Sequence, residues 1–538
     1  MLLDPNLKSK KLLTFHEASQ WASEFTGRTV TPSNIAYLVQ YGRVRKITRG
    51  NTTYVPKEDL EAYYATHHGK LAEAWKRQLG DDLNWDLSFE HVRESERTKH
   101  VHRLHPYKGK FIPQLVEYFL DEHTDRFKPQ AYFHPGDIVL DPFCGSGTTL
   151  VQANELGLHA VGVDISHFNV LIGNVKVQPH DLHALNARLR DISAALRRFV
   201  AQSNHKAFEN ALKTALSEFN RQFFPSPEFK RRVHRGEIDQ FAYGNAKVAE
   251  FIPTFEALAA QYHIATTIPE KGSFLEKWYL PSTRDELLFL REQVLQVPSG
   301  DTRDVLSIIL SRTARSCRAT THSDLATLVK PVSAPYYCRK HGKICVPLFS
   351  TTKWWNYYAN DTLKRLWVFH HLRTDTYQQC IVGDARTIDL LSALEHTHPS
   401  LAALVRQQKI KGIFTSPPYV GMINYHEQHE YAYELFGFER RDEMEIGPLY
   451  KGQGAEARRE YVESIAQVLR HMQHYLTDDA EIFIVANDKY NLYPTIAQKA
   501  GLTIVQEFKR PVLNRTEKNK TPYAESIFHM RRTRRADA

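Results

Sequence analysis

Residues 137–149 read Asp137-Ile138-Val139-Leu140-Asp141-Pro142-Phe143-Cys144-Gly145-Ser146-Gly147-Thr148-Thr149, directly after Pro135-Gly136. The apolar start of this stretch predicts a short buried strand, and the residues from Leu150 to Gly157 have a helical pattern. The loop glycines therefore lie where a strand turns into a helix, so that a ligand can approach the backbone and the helix N-terminus closely. This stretch predicts an α/β fold with a ligand-binding loop.

A second predicted strand follows this helix, from Ala160 to Val163, and it ends in Asp164. An acidic residue in that place in a Rossmann-like unit can accept hydrogen bonds from both ribose hydroxyls of a nucleotide. By itself a glycine loop fits a dinucleotide, a phosphate or no ligand at all, so its assignment depends on the rest of the chain.

Two later strands also end in polar groups. The strand at Cys380-Ile381-Val382 leads into Gly383-Asp384, and the strand Gly412-Ile413-Phe414-Thr415 leads into Ser416-Pro417-Pro418-Tyr419. Further predicted elements follow in the C-terminal part, namely a strand at 480–486, a helix at 493–500, and two antiparallel strands at 502–508 and 525–530.

These segments resemble the motifs of the DNA methyltransferases that methylate amino groups. Residues 141–149 are similar to the S-adenosylmethionine loop of that family, and residues 416–419 are similar to its catalytic tetrapeptide. The segment 105–113 is similar to the part that closes over the methionine end of the cofactor, although an exposed lysine near a helix start is an alternative for Lys110. The resemblance covers residues 101–170 and 378–532. It implies S-adenosylmethionine as cofactor and the cofactor-binding residues Asp141, Phe143, Gly145, Gly147, Thr148, Asp164, Asp384 and Lys110.

The tetrapeptide suits chemistry on an exocyclic amine. Such an amine is a poor nucleophile because its lone pair is delocalised into the base. The side-chain oxygen of Ser416 and the carbonyl of Pro417 can accept hydrogen bonds from its two N–H groups and so favour a pyramidal nitrogen. Pro417 and Pro418 fix the turn, and Tyr419 offers a stacking face for a base swung out of the duplex. The catalytic residues implied are Ser416, Pro417, Pro418 and Tyr419.

The family resemblance leaves the target base open. Serine rather than aspartate at position 416 favours N4-methylcytosine, and N6-methyladenine is the alternative. An RNA amino-methyltransferase and a catalytically inactive DNA-binding regulator with the same fold are the rival functions. The intact motif residues speak against the inactive regulator.

The implied fold class is α/β, a Rossmann-like methyltransferase with a seven-stranded sheet. A large, mostly helical insertion interrupts it, and a winged helix-turn-helix domain precedes it. The domain boundaries we predict are 1–75 for the winged helix, 76–100 for a linker, 101–170 for the first part of the methyltransferase domain, 171–376 for the inserted target-recognition region and 377–535 for the second part.

The N-terminal segment predicts DNA contact. Apolar residues recur at helical spacing from Phe15, a second helix opens at 31–33, and two strands flank residues 48–51 as a hairpin. Residues 28–49 contain five basic and no acidic side chains. In a winged-helix arrangement Arg43, Arg45 and Arg49 lie near phosphates, whereas a protein-docking module would share the same pattern.

The insertion predicts long helices at 182–199, 285–297 and 304–311. It also contains basic and aromatic clusters at 229–235, 312–315 and 353–358. Such neighbours suit phosphate contact and base stacking, although the tryptophans at 354 and 355 are more typical of a core. Cys338, His341 and Cys345, with Cys317 and His322 upstream, allow a closed zinc site, and packed cysteines are the alternative. Whether the chain holds a metal stays unknown at this level.

Composition limits the classes of protein. The 538 residues are 42% hydrophobic and 24% charged, which is typical of globular chains. Five cysteines make no disulfide framework, and the apolar runs are far shorter than the ~20 residues that span a bilayer. We therefore expect a cytoplasmic protein without a membrane partner. The net charge of +9 favours a polyanionic partner; the expected partner is double-stranded DNA, with a cognate restriction endonuclease left open.

Overall fold

The computed structural model describes residues 10–26, 30–50, 52–67, 83–89, 92, 94–107, 109–322, 324, 328–347, 350–512 and 523–533. Arg28 and parts of the predicted linker lie outside these residues. The described residues of Met1–Asp81, Arg197–Glu286 and Ser316–Ser350 form one compact unit, the N-terminal unit. Those of Asp82–Leu196, Leu287–Arg315 and Thr351–Ala538 form a second, the sheet unit. The segment 171–376, predicted as one insertion, is thus shared between both units.

The strands of the described residues are, in chain order, β1 (Leu12–Thr14), β2 (Ile47–Arg49), β3 (Thr52–Pro56), β4 (Ile138–Asp141), β5 (His159–Asp164), β6 (Tyr336–Cys338), β7 (Lys343–Cys345), β8 (Gln378–Val382), β9 (Ile410–Thr415), β10 (Leu476–Ala486), β11 (Leu502–Pro511) and β12 (Ala524–Arg532).

The α-helices are α1 (Phe15–Thr26), α2 (Pro32–Gln40), α3 (Lys57–His67), α4 (Glu94–Arg97), α5 (Pro113–Leu120), α6 (Thr148–Glu155), α7 (His167–Val177), α8 (Leu182–Ala201), α9 (His205–Phe223), α10 (Glu228–His234), α11 (Gln240–Gln261), α12 (Phe274–Trp278), α13 (Pro281–Leu295), α14 (Asp301–Ser316), α15 (Thr351–His370), α16 (Leu390–Thr397), α17 (Pro399–Gln408), α18 (Tyr425–Gln428), α19 (Glu430–Phe436), α20 (Ala455–Met472) and α21 (Tyr493–Ala500). In the part of the chain described, no helix is both long enough and apolar enough to span a bilayer.

The sheet unit contains a seven-stranded sheet with the order β11-β12-β10-β9-β4-β5-β8. Strands β10, β9, β4, β5 and β8 pair in parallel, and β12 pairs antiparallel with both β10 and β11. This confirms the α/β fold class and the predicted C-terminal hairpin. Because the carboxyl ends of parallel strands meet at one edge, the ends of β4, β5, β8 and β9 lie side by side.

The parallel strands are buried on both faces, as their continuous apolar sequences predict. Leu140, Ile413 and Ile484 have no exposed surface and share one hydrophobic cluster with helices α20 and α21. On β9 and β10, Phe414 and Phe483 contact the ring of Phe119 from α5. The central strands are therefore enclosed, and their carboxyl ends are held in register by the core.

The N-terminal unit begins with α1, α2 and a three-stranded sheet of order β1-β3-β2. The side chains of Thr31 and Asn34 form a capping box at the start of α2, which fixes where that helix begins. The buried Trp21 packs with Ile35 and Leu38 in a small core. The helices and the hairpin lie near their predicted positions, except that Thr48 and Arg49 belong to β2 rather than to the turn. DNA binding by this segment stays a prediction.

The three helices predicted in the insertion are present, and each is longer than predicted, although α13 begins and ends earlier in the chain. Helix α8 extends over Leu182–Ala201, α13 over Pro281–Leu295 and α14 over Asp301–Ser316. In the N-terminal unit, α9 and α11 form a second core around Phe208 and Phe251.

Candidate functional site

The turn from β4 to α6 requires its glycines. Gly145 and Gly147 have φ angles of 51° and 74°, which side-chain-bearing residues rarely adopt. A Cβ atom on Gly147 would lie 2.9 Å from the Cα atom of Gly173 on α7, and one on Gly145 would lie 3.1 Å from the ring of Tyr107. The loop can therefore approach both neighbours only because it lacks side chains there.

Asp141 organises the loop from behind. Its carboxylate accepts hydrogen bonds from the hydroxyls of Thr149 and Thr415, both at 2.6 Å, and from the backbone N–H of Phe143 at 3.2 Å. Only 1% of the residue is exposed, and this burial raises the pKa of the Asp141 carboxyl to about 6. Asp141 thus ties the glycine loop to the end of β9.

Asp164 lies at the end of β5 beside the same loop. One carboxylate oxygen accepts from the N–H of Gly145 at 2.8 Å, and the other accepts from the N–H of Ser166 at 2.9 Å and the amide of Asn169 at 3.1 Å. Burial raises the pKa of the Asp164 carboxyl to about 6. Each carboxylate oxygen has two lone pairs, so acceptor capacity is left for a ligand.

The strand ends enclose a cavity of about 880 Å³, including the part open to solvent. The sequence-predicted residues that line it are Lys110, Phe143, Gly145, Thr148, Asp164, Asp384, Ser416 and Pro418. Asp141, Gly147, Pro417 and Tyr419 do not line it, but each is next in sequence to a residue that does. One site thus contains most of the predicted residues, although they come from distant parts of the sequence.

Some buried polar side-chain atoms of the cavity wall make no hydrogen bond within the described residues, and two of them lie in or beside the glycine loop. Ser146 Oγ and Asn169 Oδ1 are buried and make no hydrogen bond within the described residues. Buried polar atoms of this kind are normally satisfied. A bound molecule with hydroxyl or amino groups would satisfy them, and both residues line the cavity.

Charged side chains in the wall are already oriented. The ammonium group of Lys110 donates to the carbonyl of His102 at 2.8 Å. The carboxylate of Asp384 pairs with the guanidinium of Arg386 at 2.7 Å. Both side chains are therefore held at the cavity before any ligand arrives.

The tetrapeptide 416–419 follows β9 at the cavity. Tyr419 donates its hydroxyl to Glu525 at 3.1 Å, and Glu525 is itself paired with Arg510 at 3.1 Å. Burial is the main reason why the pKa of Tyr419 lies above its ordinary value, and the hydroxyl of Ser416 interacts with the tyrosine as well. The ring of Tyr419 is therefore fixed at the turn by a polar anchor on β12.

Sequence reasoning missed Glu445, which lines the cavity and is 7% exposed. Its carboxylate accepts from the backbone N–H groups of His426 at 2.7 Å and Tyr425 at 3.3 Å. Burial raises the pKa of Glu445 to about 7. No local signal marks this residue, whereas Tyr107, another missed lining residue, belongs to the segment 105–113, whose motif could have pointed to it.

A second cavity lies next to the first in the sheet unit, and Tyr107 and Lys110 line both. It is lined as well by the basic and aromatic residues Arg103, Arg312, Arg315, Trp354, Tyr357 and Tyr358. Arg312 is held by Asp361 at 2.6 Å, and its guanidinium lies 4.3 Å from the ring centre of Tyr358. Trp355, in contrast, is a core residue whose indole N–H donates to Ser193.

The three arginines predicted to contact DNA belong to the N-terminal unit, and all are exposed. Arg45 is already paired, because its guanidinium contacts the carboxylates of Asp59, at 2.7 Å, and Glu58. Arg43 precedes β2, and Arg49 ends it. Their role in DNA binding stays a prediction.

Comparisons with known proteins give consistent results. The DNA methylase family model for N6/N4 methyltransferases matches residues 15–174. The Type II methyltransferase M.MjaII of Methanocaldococcus jannaschii is 45% identical over 527 residues, which cover 97% of this chain and 97% of that protein. The Type II methyltransferase M.MvaI of Kocuria varians is 32% identical over 117 residues, or 22% of this chain and 24% of that protein. A solved rRNA methyltransferase, aviRa from Streptomyces viridochromogenes, aligns with 82% of this chain and 94% of its own at 11% identity, with a TM-score of 0.27 that supports no inference.

Proposed function

This chain belongs to the DNA amino-methyltransferase family, and on that premise we propose that it methylates the exocyclic N4 of cytosine in double-stranded DNA. It is a Type II DNA methyltransferase, and S-adenosylmethionine is its methyl donor. The observation that carries the choice of base is the serine at position 416, in the strand-end tetrapeptide that lines the cavity. N6-methylation of adenine is the second candidate.

The cavity at the carboxyl ends of β4, β5, β8 and β9 is our candidate cofactor site. The unpartnered atoms Ser146 Oγ and Asn169 Oδ1 support this assignment, because they offer hydrogen bonds to a polar ligand. We assign the ribose to Asp164, the adenine to Asp384 and the carboxylate to Lys110. When bound, the cofactor supplies a methyl group on a positively charged sulfur, which makes that carbon electrophilic.

Ser416 and Pro417 are the groups that we propose to act on the target amine. The serine hydroxyl and the proline carbonyl accept hydrogen bonds from the two N–H groups of the amine, which turns the nitrogen lone pair away from the ring of the base. These acceptors can act only if they are held in the correct position relative to the target nitrogen. Thr415, the residue before Ser416, is held by Asp141 at the base of the glycine loop, so the acceptors sit on the same rigid edge as the cofactor cavity.

Tyr419 is the stacking residue in this proposal. Its hydroxyl is bonded to Glu525, so the ring is oriented before a base arrives. Stacking on an aromatic ring contributes roughly 1 to 3 kcal/mol per base. The second cavity, with its arginines and aromatic rings, suits the phosphates and bases that flank a nucleotide swung out of the duplex.

The base is identified by methylating plasmid DNA with the purified protein and S-adenosylmethionine, digesting the DNA and measuring the nucleosides by mass spectrometry. N4-methyldeoxycytidine is the expected product. N6-methyldeoxyadenosine would overturn the choice of base and favour the second candidate. No methylated nucleoside from a folded, cofactor-binding protein would instead favour the inactive DNA-binding regulator.

The same DNA, read by modification-sensitive sequencing, reports the recognition sequence. We propose that this methylation occurs in the cytoplasm and protects that sequence against a cognate restriction endonuclease. Cleavage of unmethylated but not of methylated DNA by an extract of the source cells is the expected result.

A further inference from the structure

The β6–β7 hairpin of the N-terminal unit carries three soft donor side chains. Cys338 ends β6, His341 lies in the turn, and Cys345 ends β7. Together with His322 they form a group whose four donor atoms all lie within 4.8 Å of one another. Of the two upstream candidates from the sequence, His322 belongs to this group, whereas Cys317 is buried but does not.

We infer that His322, Cys338, His341 and Cys345 bind one structural zinc ion. The Nδ1 atom of His341 lies 3.6 Å from Cys338 Sγ and 3.3 Å from Cys345 Sγ. With Zn–S near 2.3 Å and Zn–N near 2.0 Å, tetrahedral geometry puts neighbouring donors about 3.3 to 3.8 Å apart. The two distances from His341 Nδ1 to the cysteine sulfurs therefore fall in the range of a tetrahedral site. A closed set of two cysteines and two histidines is typical of structural rather than catalytic zinc.

The histidine ligands have defined orientations. The hydroxyl of Tyr336 lies 2.6 Å from Nδ1 of His322 and also accepts from its backbone N–H at 3.0 Å. With Nδ1 engaged by Tyr336, Nε2 is the nitrogen that we assign to the metal. A partner on the other ring nitrogen is the usual support of a metal-bound histidine, because it fixes both the tautomer and the ring direction.

The hairpin is short and depends on its surroundings. Each strand has only three residues, and a two-stranded hairpin is marginal by itself. Gly342, with a φ of 62°, donates to the carbonyl of Cys338 at 2.7 Å and closes the turn that brings His341 back to the cysteines. A metal would add three bonds to side chains of the hairpin and a fourth to His322, which lies outside it.

Contacts of the hairpin with helices α9 and α10 help to join the site to the rest of the N-terminal unit. The amide of Asn220 on α9 bonds both the N–H and the carbonyl of Ile344 at 3.0 Å. Lys230 on α10 donates to the carbonyl of Lys340 at 2.7 Å and lies 3.8 Å from the ring centre of Tyr41, directly after α2. On this proposal zinc stabilises the part of the N-terminal unit that contacts the segment predicted to bind DNA.

The metal is tested on the full chain, purified without chelator or affinity metal, by inductively coupled plasma mass spectrometry. About one equivalent of zinc per chain is expected. The double variant Cys338→Ser/Cys345→Ser should retain less than a tenth of an equivalent, whereas the matched control Cys317→Ser, also at a buried cysteine, should retain the wild-type amount. Equal loss in the control would overturn the ligand assignment.

A second measurement does not depend on whether the double variant folds. Zinc is removed from the wild-type protein under reducing conditions and cobalt(II) is added. The expected result is the intense visible absorption of tetrahedral cobalt with a thiolate-to-metal band, reversed by one equivalent of zinc. Absence of zinc from the isolated protein together with no cobalt spectrum would overturn the proposal, as would mass-spectrometric detection of a Cys338–Cys345 disulfide in the protein isolated from cytoplasm.

Discussion

The hydroxyl of Thr415 donates to a carboxylate oxygen of Asp141 across 2.6 Å, between residues 274 positions apart in the chain. Thr415 ends β9, directly before the proposed catalytic tetrapeptide, and Asp141 ends β4, directly before the glycine loop. The second carboxylate oxygen accepts from Thr149 on α6. The cofactor loop and the catalytic turn are therefore positioned by one buried carboxylate.

Replacing Thr415 with valine should disturb the position of the cofactor loop and of the catalytic turn together. The change keeps the shape of the side chain but leaves the buried Asp141 carboxylate with one donor fewer, which costs about 1 to 3 kcal/mol. We expect this loss in the free energy of unfolding measured with urea, together with a lower turnover. Thr415→Ser keeps the hydroxyl and should remain near wild type. An unchanged stability of the valine variant would show that the bond is not important.

Gly147→Ala should destroy cofactor affinity, because its Cβ would lie 2.9 Å from the backbone of Gly173 in a conformation that already disfavours side chains. Gly136→Ala is the matched control, since Gly136 also has a positive φ, 92°, but no atom within 4 Å of an added Cβ. Isothermal titration calorimetry with S-adenosylmethionine measures the cofactor affinity of both variants. Equal loss of affinity in the two variants would assign the effect to backbone strain alone.

Ser416→Ala should reduce turnover by about 10²-fold or more, the typical cost of losing a hydrogen bond made in the transition state. Cofactor affinity should stay close to wild type, because Asp164, Asp384 and the glycine loop are unchanged. Single-turnover transfer of labelled methyl groups to DNA gives the rate, and titration gives the affinity. Wild-type rates with normal cofactor binding would exclude residues 416–419 as the catalytic turn.

Cofactor affinity should depend on pH through Glu445. Its pKa is raised from 4.5 to about 7, so the folded free protein favours the protonated carboxyl, and the linked stability is lost as pH rises through about 7. A cationic sulfur in the cavity favours the ionised carboxylate instead. Affinity for S-adenosylmethionine should therefore rise between pH 5.5 and about 7.5 with release of protons, and it should rise less for S-adenosylhomocysteine, whose sulfur is uncharged.

The control for this pH effect is Glu445→Gln, which keeps acceptor capacity toward the backbone N–H groups of residues 425 and 426 but cannot ionise. Titrations at several pH values, each in two buffers of different ionisation enthalpy, measure affinity and proton release together. The variant should show a flatter profile. The same slope in wild type and variant would assign the titration to Asp164 or Asp141.

DNA affinity should respond differently to the three arginines of the N-terminal unit. Arg43→Gln and Arg49→Gln should each lower the slope of log affinity against log salt concentration by about 1, since a phosphate contact is lost. Arg45→Gln should change the slope less, because Asp59 and Glu58 already neutralise that guanidinium. Slopes that stay equal to wild type in the Arg43 and Arg49 variants would favour a protein-docking role for this unit.

The sequence by itself determined the elements and motifs that depend on near neighbours. The run 138–141, the glycine loop and the turn 416–419 each predict a strand end from a few consecutive residues, and the seven-stranded sheet agrees with them. Parallel strands buried on both faces need continuous apolar residues, and that pattern is visible without a structure. The resemblance to the DNA amino-methyltransferases, and with it S-adenosylmethionine as cofactor, followed from the same short stretches.

Only the tertiary structure decided which distant side chains meet. It joined Thr415 to Asp141, added Glu445 to the cavity wall and paired Arg45 with Asp59. It also selected His322 rather than Cys317 for the candidate zinc site. None of these arrangements has a local sequence signal, because each depends on how separate segments pack rather than on the spacing of residues within one helix or strand. Burial also raised the pKa of Glu445, and burial is a property of the packed chain and not of the residue.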